Sequence, residues 1–245
     1  MATENTIQQS PDVMPPQDAL SILEHLVELR DRLIRAVLAL VVATLIAFIF
    51  TDPLLQLLIE PMGGLKPVFL RPSEMFVTYF KVSLIAGFVL SMPIILYQLM
   101  KFVSPGLTDD EKKYLYLVVP GGTASFLAGV LFSYFVMLPV GIRFLLTFGG
   151  DIAQAQWTIG EYISFITTLM FWAGVVFETP LIIFFLAKIG VVSAQQLSRW
   201  RKFAILGVFV VAALITPTPD PINQLLVAVP LLLLYELGIL LARIA

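Results

Sequence analysis

The sequence predicts an all-α integral membrane protein with six transmembrane helices, and three observations support this. First, 59% of the 245 residues are hydrophobic and 13% are charged, with a mean hydropathy of +0.94. Ordinary soluble domains are about 25% charged, and a soluble fold of this size could not bury so much apolar surface. Second, six apolar segments are separated by short polar connections. Third, basic residues concentrate in alternate connections, as expected for a membrane protein.

Each apolar segment is interpreted as a helix because a span needs about 20 residues at a rise of ~1.5 Å each. The segments cover about 33–50, 76–97, 114–138, 162–187, 203–216 and 222–241. The fifth has only 14 residues, and the sixth contains Asn223, Gln224 and Glu236, which reduce its purely apolar stretch to 11 residues. Both are therefore predicted to fall short of a hydrocarbon core of about 30 Å.

The connections predict the orientation and the domain organisation. Eleven of the fifteen basic residues lie on one side of the predicted bundle, and the positive-inside rule therefore places both termini in the cytoplasm. Residues 1–19 are polar and proline-rich without lysine or arginine, and they are expected to form a disordered cytoplasmic tail. Residues 20–245 form the six-span membrane domain.

Composition also excludes several classes of function. A net charge of −2 gives no general attraction to nucleic acid. The absence of cysteine and the single histidine exclude disulfides and Cys/His zinc sites, so no metal site is expected. The sequence contains no GxxxxGK[ST], GxGxxG, HExxH or GxSxG motif. We therefore expect neither ATP-driven transport or hydrolysis within this chain nor a bound cofactor.

A predicted amphipathic helix over residues 20–35 precedes the first span. Glu24, Glu28, Asp31 and Arg35 recur at i, i+4, i+7 and i+11, so three carboxylates dominate one helix face. Such a face at the membrane surface could receive a basic segment. The alternative is a solvated helix in which Glu28 pairs with Arg32 four residues later.

A second acidic cluster lies in the connection between the second and third spans, at Asp109, Asp110 and Glu111. It is on the same predicted side of the membrane as Glu28. The alternative interpretation is local, because Thr108 and Glu111 have the spacing of a capping box at the start of the third span.

Glu178 lies deep in the fourth span, where a carboxylate costs ~2.5–3.5 kcal/mol on insertion scales. It is therefore a functional candidate that should face a cavity or a polar partner. Pro180 lacks a backbone donor and frees the carbonyl of Val176. The alternative is a packing carboxyl group bonded to that kink.

The single histidine, His25, is expected to make a polar surface or interface contact.

Five sequence segments, in this order, resemble the TatC family, whose members are the polytopic subunit of the twin-arginine, Sec-independent protein translocase. They are HLVELRDRL (25–33), SMPIILYQLMKFVSPGL (91–107), FSYFVMLP (132–139), FETP (177–180) and LITPTPDPINQ (214–224). The resemblance covers about residues 20–242. It implies a glove-shaped bundle of six spans with a concave face and with both termini in the cytoplasm.

The resemblance also implies a function and partners. Members of the family export folded proteins bearing Arg-Arg signal peptides across the bacterial cytoplasmic (inner) membrane, driven by the proton-motive force. They work with the single-span subunits TatA and often TatB in a multi-copy complex in the lipid bilayer, and they are not enzymes.

Site residues follow from the motif match. The residues implied in signal-peptide binding are the arginine-receiving Glu28 and Glu111 and the flanking Leu29, Arg30 and Phe102. Glu178 corresponds to an intramembrane glutamate. The other matched positions are Pro93 and Tyr134, which read as shape-setting, and Thr216 and Gln224, where a partner helix is thought to dock.

Two other classes of function are compatible with the residues alone. One is a proton-coupled small-solute transporter with Glu178 as its proton site. The other is a membrane scaffold that only organises other subunits. The acidic helix over residues 20–35 favours the translocase over the transporter, because a small solute has no use for it.

Overall fold

A computed structural model of the chain describes residues 17–106, 109–152, 156–216 and 220–245. Side chains are described within these ranges except at residues 17–23, 106, 109–111 and 113–116. The predicted tail over residues 1–19 lies outside the description, apart from Gln17 to Ala19, which open the first helix. In the described ranges the only β-type pairing is a bridge between Val68 and Thr158.

The all-α prediction is confirmed, since almost all of the described chain is helical. The helices are α1 (Gln17–Ile49), α2 (Thr51–Ile59), α3 (Pro72–Val103), α4 (Asp109–Phe132), α5 (Leu138–Thr147), α6 (Ile159–Phe177), α7 (Thr179–Lys188), α8 (Ala194–Arg199), α9 (Arg201–Ile215) and α10 (Pro221–Ala242). A π-helical turn over Ser133–Met137 joins α4 to α5. All six apolar segments predicted from the sequence fall on helices.

Five helical stretches are long and apolar enough to cross a membrane within the described residues. They are Glu24–Ile49, Pro72–Val103, Leu117–Thr147, Ile159–Lys188 and Pro221–Ala242. The helix α9 has 15 residues, which is about 22 Å at 1.5 Å per residue, so the prediction of a short fifth span is confirmed.

The prediction of a short sixth span is wrong. The helix α10 has 22 residues, about 33 Å in length, and it continues through all three polar residues that the prediction treated as limits. The Asn223 amide donates to the Asp220 carboxylate at 2.9 Å, and the Gln224 amide donates to the Phe209 carbonyl at 3.2 Å. Arg201 pairs with Glu236. Because these groups have partners inside the protein, they do not end the helix.

Consecutive long helices run in opposite directions, which gives the bundle two faces. The basic face carries the start of α1, the α3–α4 connection, the segment from the end of α7 to the start of α9, and the end of α10. The distal face carries α2, the connection over 63–71, and the described parts of the connections after α5 and α9, which are 148–152, 156–158, Thr216 and Asp220.

The short helix α2 lies across the distal ends of two spans and is tied to them by tyrosines. The hydroxyl of Tyr134 donates to the Leu57 carbonyl at 2.9 Å, and that of Tyr162 donates to the Leu58 carbonyl at 3.0 Å. Tyr134 stands in the π-helical turn. The sequence did not predict α2, because its nine residues resemble a loop after the first span.

The core is centred on α6, which is packed by helices on several sides. Tyr162, Ile163 and Ile166 are fully buried there, and Leu138 and Ile142 of α5 belong to the same cluster. This apolar centre fixes the positions of the third to sixth spans.

The helix α1 lies outside this core and packs chiefly on α3. The approach is close at Gly87 of α3, where a Cβ atom would overlap the backbone and hydroxyl of Thr44. Only a residue without a side chain permits this contact. Between α1, α2, α3, α4 and α6, an apolar groove of about 500 Å³ gives this side of the bundle a concave face.

The close helix contact predicted for the small residues of α4, at Gly121, Ser125 and Gly129, is present at Gly129. At Gly129 a Cβ atom would lie 2.5 Å from the Ala173 carbonyl oxygen of α6. The helices α4 and α6 therefore cross with their backbones nearly in contact.

Gly129→Ala is expected to lower thermal stability, because overpacking at such a crossing costs about 1–3 kcal/mol of unfolding free energy. Gly121→Ala is the matched control on the same helix, since a Cβ there would meet only the Leu181 side chain, at 3.8 Å. Thermal unfolding of both variants in detergent measures the difference. Equal losses of stability would contradict the crossing.

Candidate functional site

The start of α1 and the end of α3 meet through an aromatic stack on the basic face. The rings of His25 and Phe102 have centroids 4.4 Å apart and planes inclined by 22°. The surface or interface contact predicted for His25 is thus a stack on Phe102 that joins α1 to α3. Phe102 is half-buried by this contact. No sequence spacing could predict the stack, because it joins two different helices.

Glu28 lies one helical turn beyond His25, so both residues project from the same side of α1. Its carboxylate accepts a hydrogen bond from the Arg32 guanidinium at 2.9 Å, and 30% of its side chain is exposed. The intrahelical pair considered from the sequence is therefore present. The remaining exposure leaves the carboxylate accessible to a second cation.

The acidic face of α1 is partly neutralised by its own arginines. Asp31 accepts two hydrogen bonds from Arg30, at 2.8 and 3.0 Å, and both side chains are largely exposed. Leu29 is exposed beside them. The three carboxylates predicted on this face thus do not form an unpaired acidic surface.

Glu111 is the third residue of α4, close along the chain to Phe102. Its side chain lies outside the described residues, as do Thr108 and the predicted capping box. The structure brings Glu28, His25 and Phe102 together and does not test the contribution of Glu111.

Glu178 occupies the break between α6 and α7, in the middle of the fourth span. Pro180 has no N–H, so the regular hydrogen bonds stop there, and the Glu178 N–H bonds instead to the Val175 carbonyl at 3.1 Å. The predicted kink is therefore present.

The Glu178 side chain is buried at 6% exposure. Its Oε1 atom has no hydrogen-bond partner among the described residues, so the structure does not show that oxygen bonded to the kink. The carboxyl group packs on Gly122 of α4, where a Cβ atom would lie 3.0 Å from Oε2 and 2.7 Å from the Leu96 side chain. A carboxyl oxygen buried without a partner is costly.

Pro93 lies inside α3, which continues through it as one helix.

The two positions predicted to dock a partner helix lie at the distal end of α9 and α10. The Thr216 hydroxyl donates to its own helix, at the Ala212 carbonyl. Gln224 bridges α10 to α9 through Phe209. Both polar groups therefore have internal partners.

An apolar stripe on α9 has no covering element in the described chain. Its exposed side chains recur at helical spacing and are Phe203, Leu206, Val210 and Leu214.

Within the described residues, no group of three or more His, Cys, Asp or Glu side chains is placed to hold a metal ion.

These features define a class: a polytopic α-helical membrane protein with a polar and aromatic cluster at one end of its helices. Residues 24–230 match the family model described as Sec-independent protein translocase protein (TatC), and the chain belongs to this family. It is therefore a component of a Sec-independent translocase.

Named relatives agree with this assignment. The chain is 42% identical to the Sec-independent protein translocase protein TatC of Carboxydothermus hydrogenoformans over 226 residues, which cover 91% of this chain and 93% of that protein. It is 38% identical to the TatC protein of Synechocystis, over 93% of this chain and 90% of the relative. These relatives are named as transport components.

Two solved structures described as the twin arginine translocase receptor TatC share the fold. One has a TM-score of 0.80 at 37% identity and covers 90% of this chain and 98% of its own. The second, obtained in the detergent DDM, has a TM-score of 0.82 at 38% identity, with 89% and 99% covered. The predicted fold class is confirmed.

Glu178→Leu is expected to raise the free energy of unfolding by about 1–3 kcal/mol, because it removes a buried oxygen that lacks a partner. Glu236→Leu is the control, because Glu236 is paired with Arg201 at 2.8 Å and its loss brings no gain. Thermal unfolding in detergent compares the two. A lower melting temperature for Glu178→Leu would show that the carboxyl group stabilises the kink.

Proposed function

We propose that this chain is the receptor subunit that binds the Arg-Arg signal peptides of folded cargo proteins. The observation that carries the proposal is the partly exposed Glu28 carboxylate one helical turn from the His25–Phe102 stack, where α1 meets α3. Two related structures bear the description of a twin arginine translocase receptor.

The chemistry of the site suits guanidinium groups. A carboxylate takes a planar guanidinium through two parallel hydrogen bonds, which a lysine ammonium cannot reproduce. Glu28 already binds Arg32 in this protein, so an incoming arginine shares or displaces that partner. We assign the second arginine to Glu111. Leu29, Arg30 and Phe102 flank the bound pair.

Affinity at this site must come from several contacts together. An exposed ion pair contributes at most ~1 kcal/mol, so two pairs alone bind weakly. The aromatic ring of Phe102 and the exposed side chain of Leu29 offer apolar contact to the residues that follow the arginines. The hydrophobic part of the signal then lies along the membrane.

The proposed orientation places the basic face in the cytoplasm of a bacterial cell, with the chain in the cytoplasmic (inner) membrane. Eleven of the fifteen basic residues lie on that face, in agreement with the positive-inside rule. Both termini are then cytoplasmic, and the signal site faces the compartment in which cargo folds.

The proposed partners are the single-span subunits TatA and TatB. The apolar stripe of α9 suits a transmembrane partner helix, with Thr216 and Gln224 at its distal end. Six spans leave no room for a pore that passes a folded protein. The conduit must therefore come from several copies and their partners, or from a weakened bilayer beside the short α9.

Glu178, whose Oε1 atom has no hydrogen-bond partner in the described chain, is assigned a role in this transport, which the proton-motive force drives. The small-solute transporter is not favoured, because a small solute would not need the acidic helix face at the start of α1.

The test is binding of a synthetic Arg-Arg signal peptide to the purified full-length protein in detergent. Glu28→Ala and Glu111→Ala are each expected to weaken binding up to about fivefold, the size of one exposed ion pair of ~1 kcal/mol. A Lys-Lys peptide is expected to bind the unaltered protein more weakly by a similar factor.

The matched control is Asp151→Asn, which removes an acidic charge from an exposed connection on the distal face. It should leave peptide affinity unchanged. Equal affinity for Arg-Arg and Lys-Lys peptides, together with indifference to both glutamate substitutions, would contradict the receptor role of this site.

A further inference from the structure

A polar pocket lies on the distal face, between the starts of α3 and α6. It has a volume of about 430 Å³. Its charged lining residues are Arg71, Glu74, Lys81 and Glu161. The pocket is at the opposite face from the signal site, and neither the fold nor the proposed receptor function uses it.

Lys81 is the central observation, because it is a cation in a membrane-spanning helix and has no ionic partner among the described residues. Its ammonium donates one hydrogen bond, to the Ser164 hydroxyl at 2.6 Å. Ser164 in turn donates to the Gly160 carbonyl at 2.5 Å, so its own proton is used. Among the described residues no carboxylate forms an ion pair with Lys81. An ammonium has three N–H donors, and two of them are left for a ligand.

The second cation in the pocket is Arg71, which immediately precedes α3. Its backbone is extended, its side chain is exposed, and it makes no side-chain hydrogen bond within the described residues. A guanidinium and an ammonium lining one pocket are the groups that bind phosphate oxygens.

Two carboxylates balance these cations. That of Glu74 is already occupied, since it accepts hydrogen bonds from the backbone N–H groups of Gly160 at 2.8 Å and Leu70 at 3.0 Å. That of Glu161 is on an exposed residue and has no ion pair among the described residues. The pocket therefore offers two cations and one available anion, which match a headgroup carrying both a phosphate and an ammonium.

The depth of the pocket fits a lipid headgroup. The 32 residues of α3 extend over about 48 Å, whereas the hydrocarbon core is about 30 Å thick. The helix is therefore long enough for its first turns to lie among the headgroups. Lys81 is in the third turn, and its side chain leans towards the helix start, where its ammonium reaches the level of the phosphates.

We propose that this pocket binds a zwitterionic phospholipid headgroup, with the phosphate between Lys81 and Arg71 and the ammonium at Glu161. The lipid comes from the leaflet that the distal face meets. The bound lipid fills the gap between the starts of α3 and α6, which are otherwise joined there by Glu74 and the Lys81–Ser164 contact.

The experiment titrates phosphatidylethanolamine into the full-length protein in detergent and counts retained lipid by native mass spectrometry. Diacylglycerol, which has the same chains without the phosphate, should not be retained. Lys81→Gln should weaken phosphatidylethanolamine retention about tenfold. Glutamine can keep the hydrogen bond to Ser164, and Arg71→Gln offers a second variant at an exposed position in case the first does not fold.

Lys66→Gln is the matched control, because Lys66 is a distal-face cation that lines a different pocket. It should retain lipid as the unaltered protein does. Water-soluble phosphoethanolamine distinguishes the source of the headgroup, and it should displace the lipid poorly. Three results would overturn the proposal. They are retention of diacylglycerol, unchanged retention of phosphatidylethanolamine in both pocket variants, or retention of phosphatidylethanolamine only when another protein chain is bound.

Discussion

The backbone contact between α1 and α3 at Gly87 and Thr44 is the constraint on which the proposed site depends. The helix α1 is outside the core, so its position follows from how closely it can approach α3. That approach lets His25 reach Phe102, and Glu28 then lies one helical turn along α1 from the stack. The geometry of the proposed site is thus set by a residue near the middle of α3, far from the charges that it positions.

The bilayer explains most of the remaining arrangement, because polar groups inside it need partners. Asn223, Gln224 and Glu236 obtain them within the α9–α10 hairpin. Glu178 is different, since one of its oxygens is buried without a partner in the described chain. Such a residue lowers the stability of the fold, and residues kept for function commonly have this effect.

Sequence reasoning could predict the six apolar segments, the Pro180 break and the Glu28–Arg32 pair, because each depends on local spacing. It could not predict the His25–Phe102 stack or the position of α2, which arise from contacts between helices. It misjudged the sixth span for a related reason. The partners of Gln224 and Glu236 lie on α9 and are visible only once α9 and α10 are packed. The roles assigned to Glu111, Thr216 and the other matched positions stay predictions.

The central claim is that the arginine pair of a signal peptide binds where α1 meets α3. Photo-cross-linking tests it most directly, with a photoreactive group beside the arginine pair of an Arg-Arg peptide and the adducts mapped by mass spectrometry. The account predicts adducts within residues 25–35 and 98–113 that an unlabelled Arg-Arg peptide abolishes by competition. Adducts on α2 or on the distal connections, with none near Phe102, would contradict it.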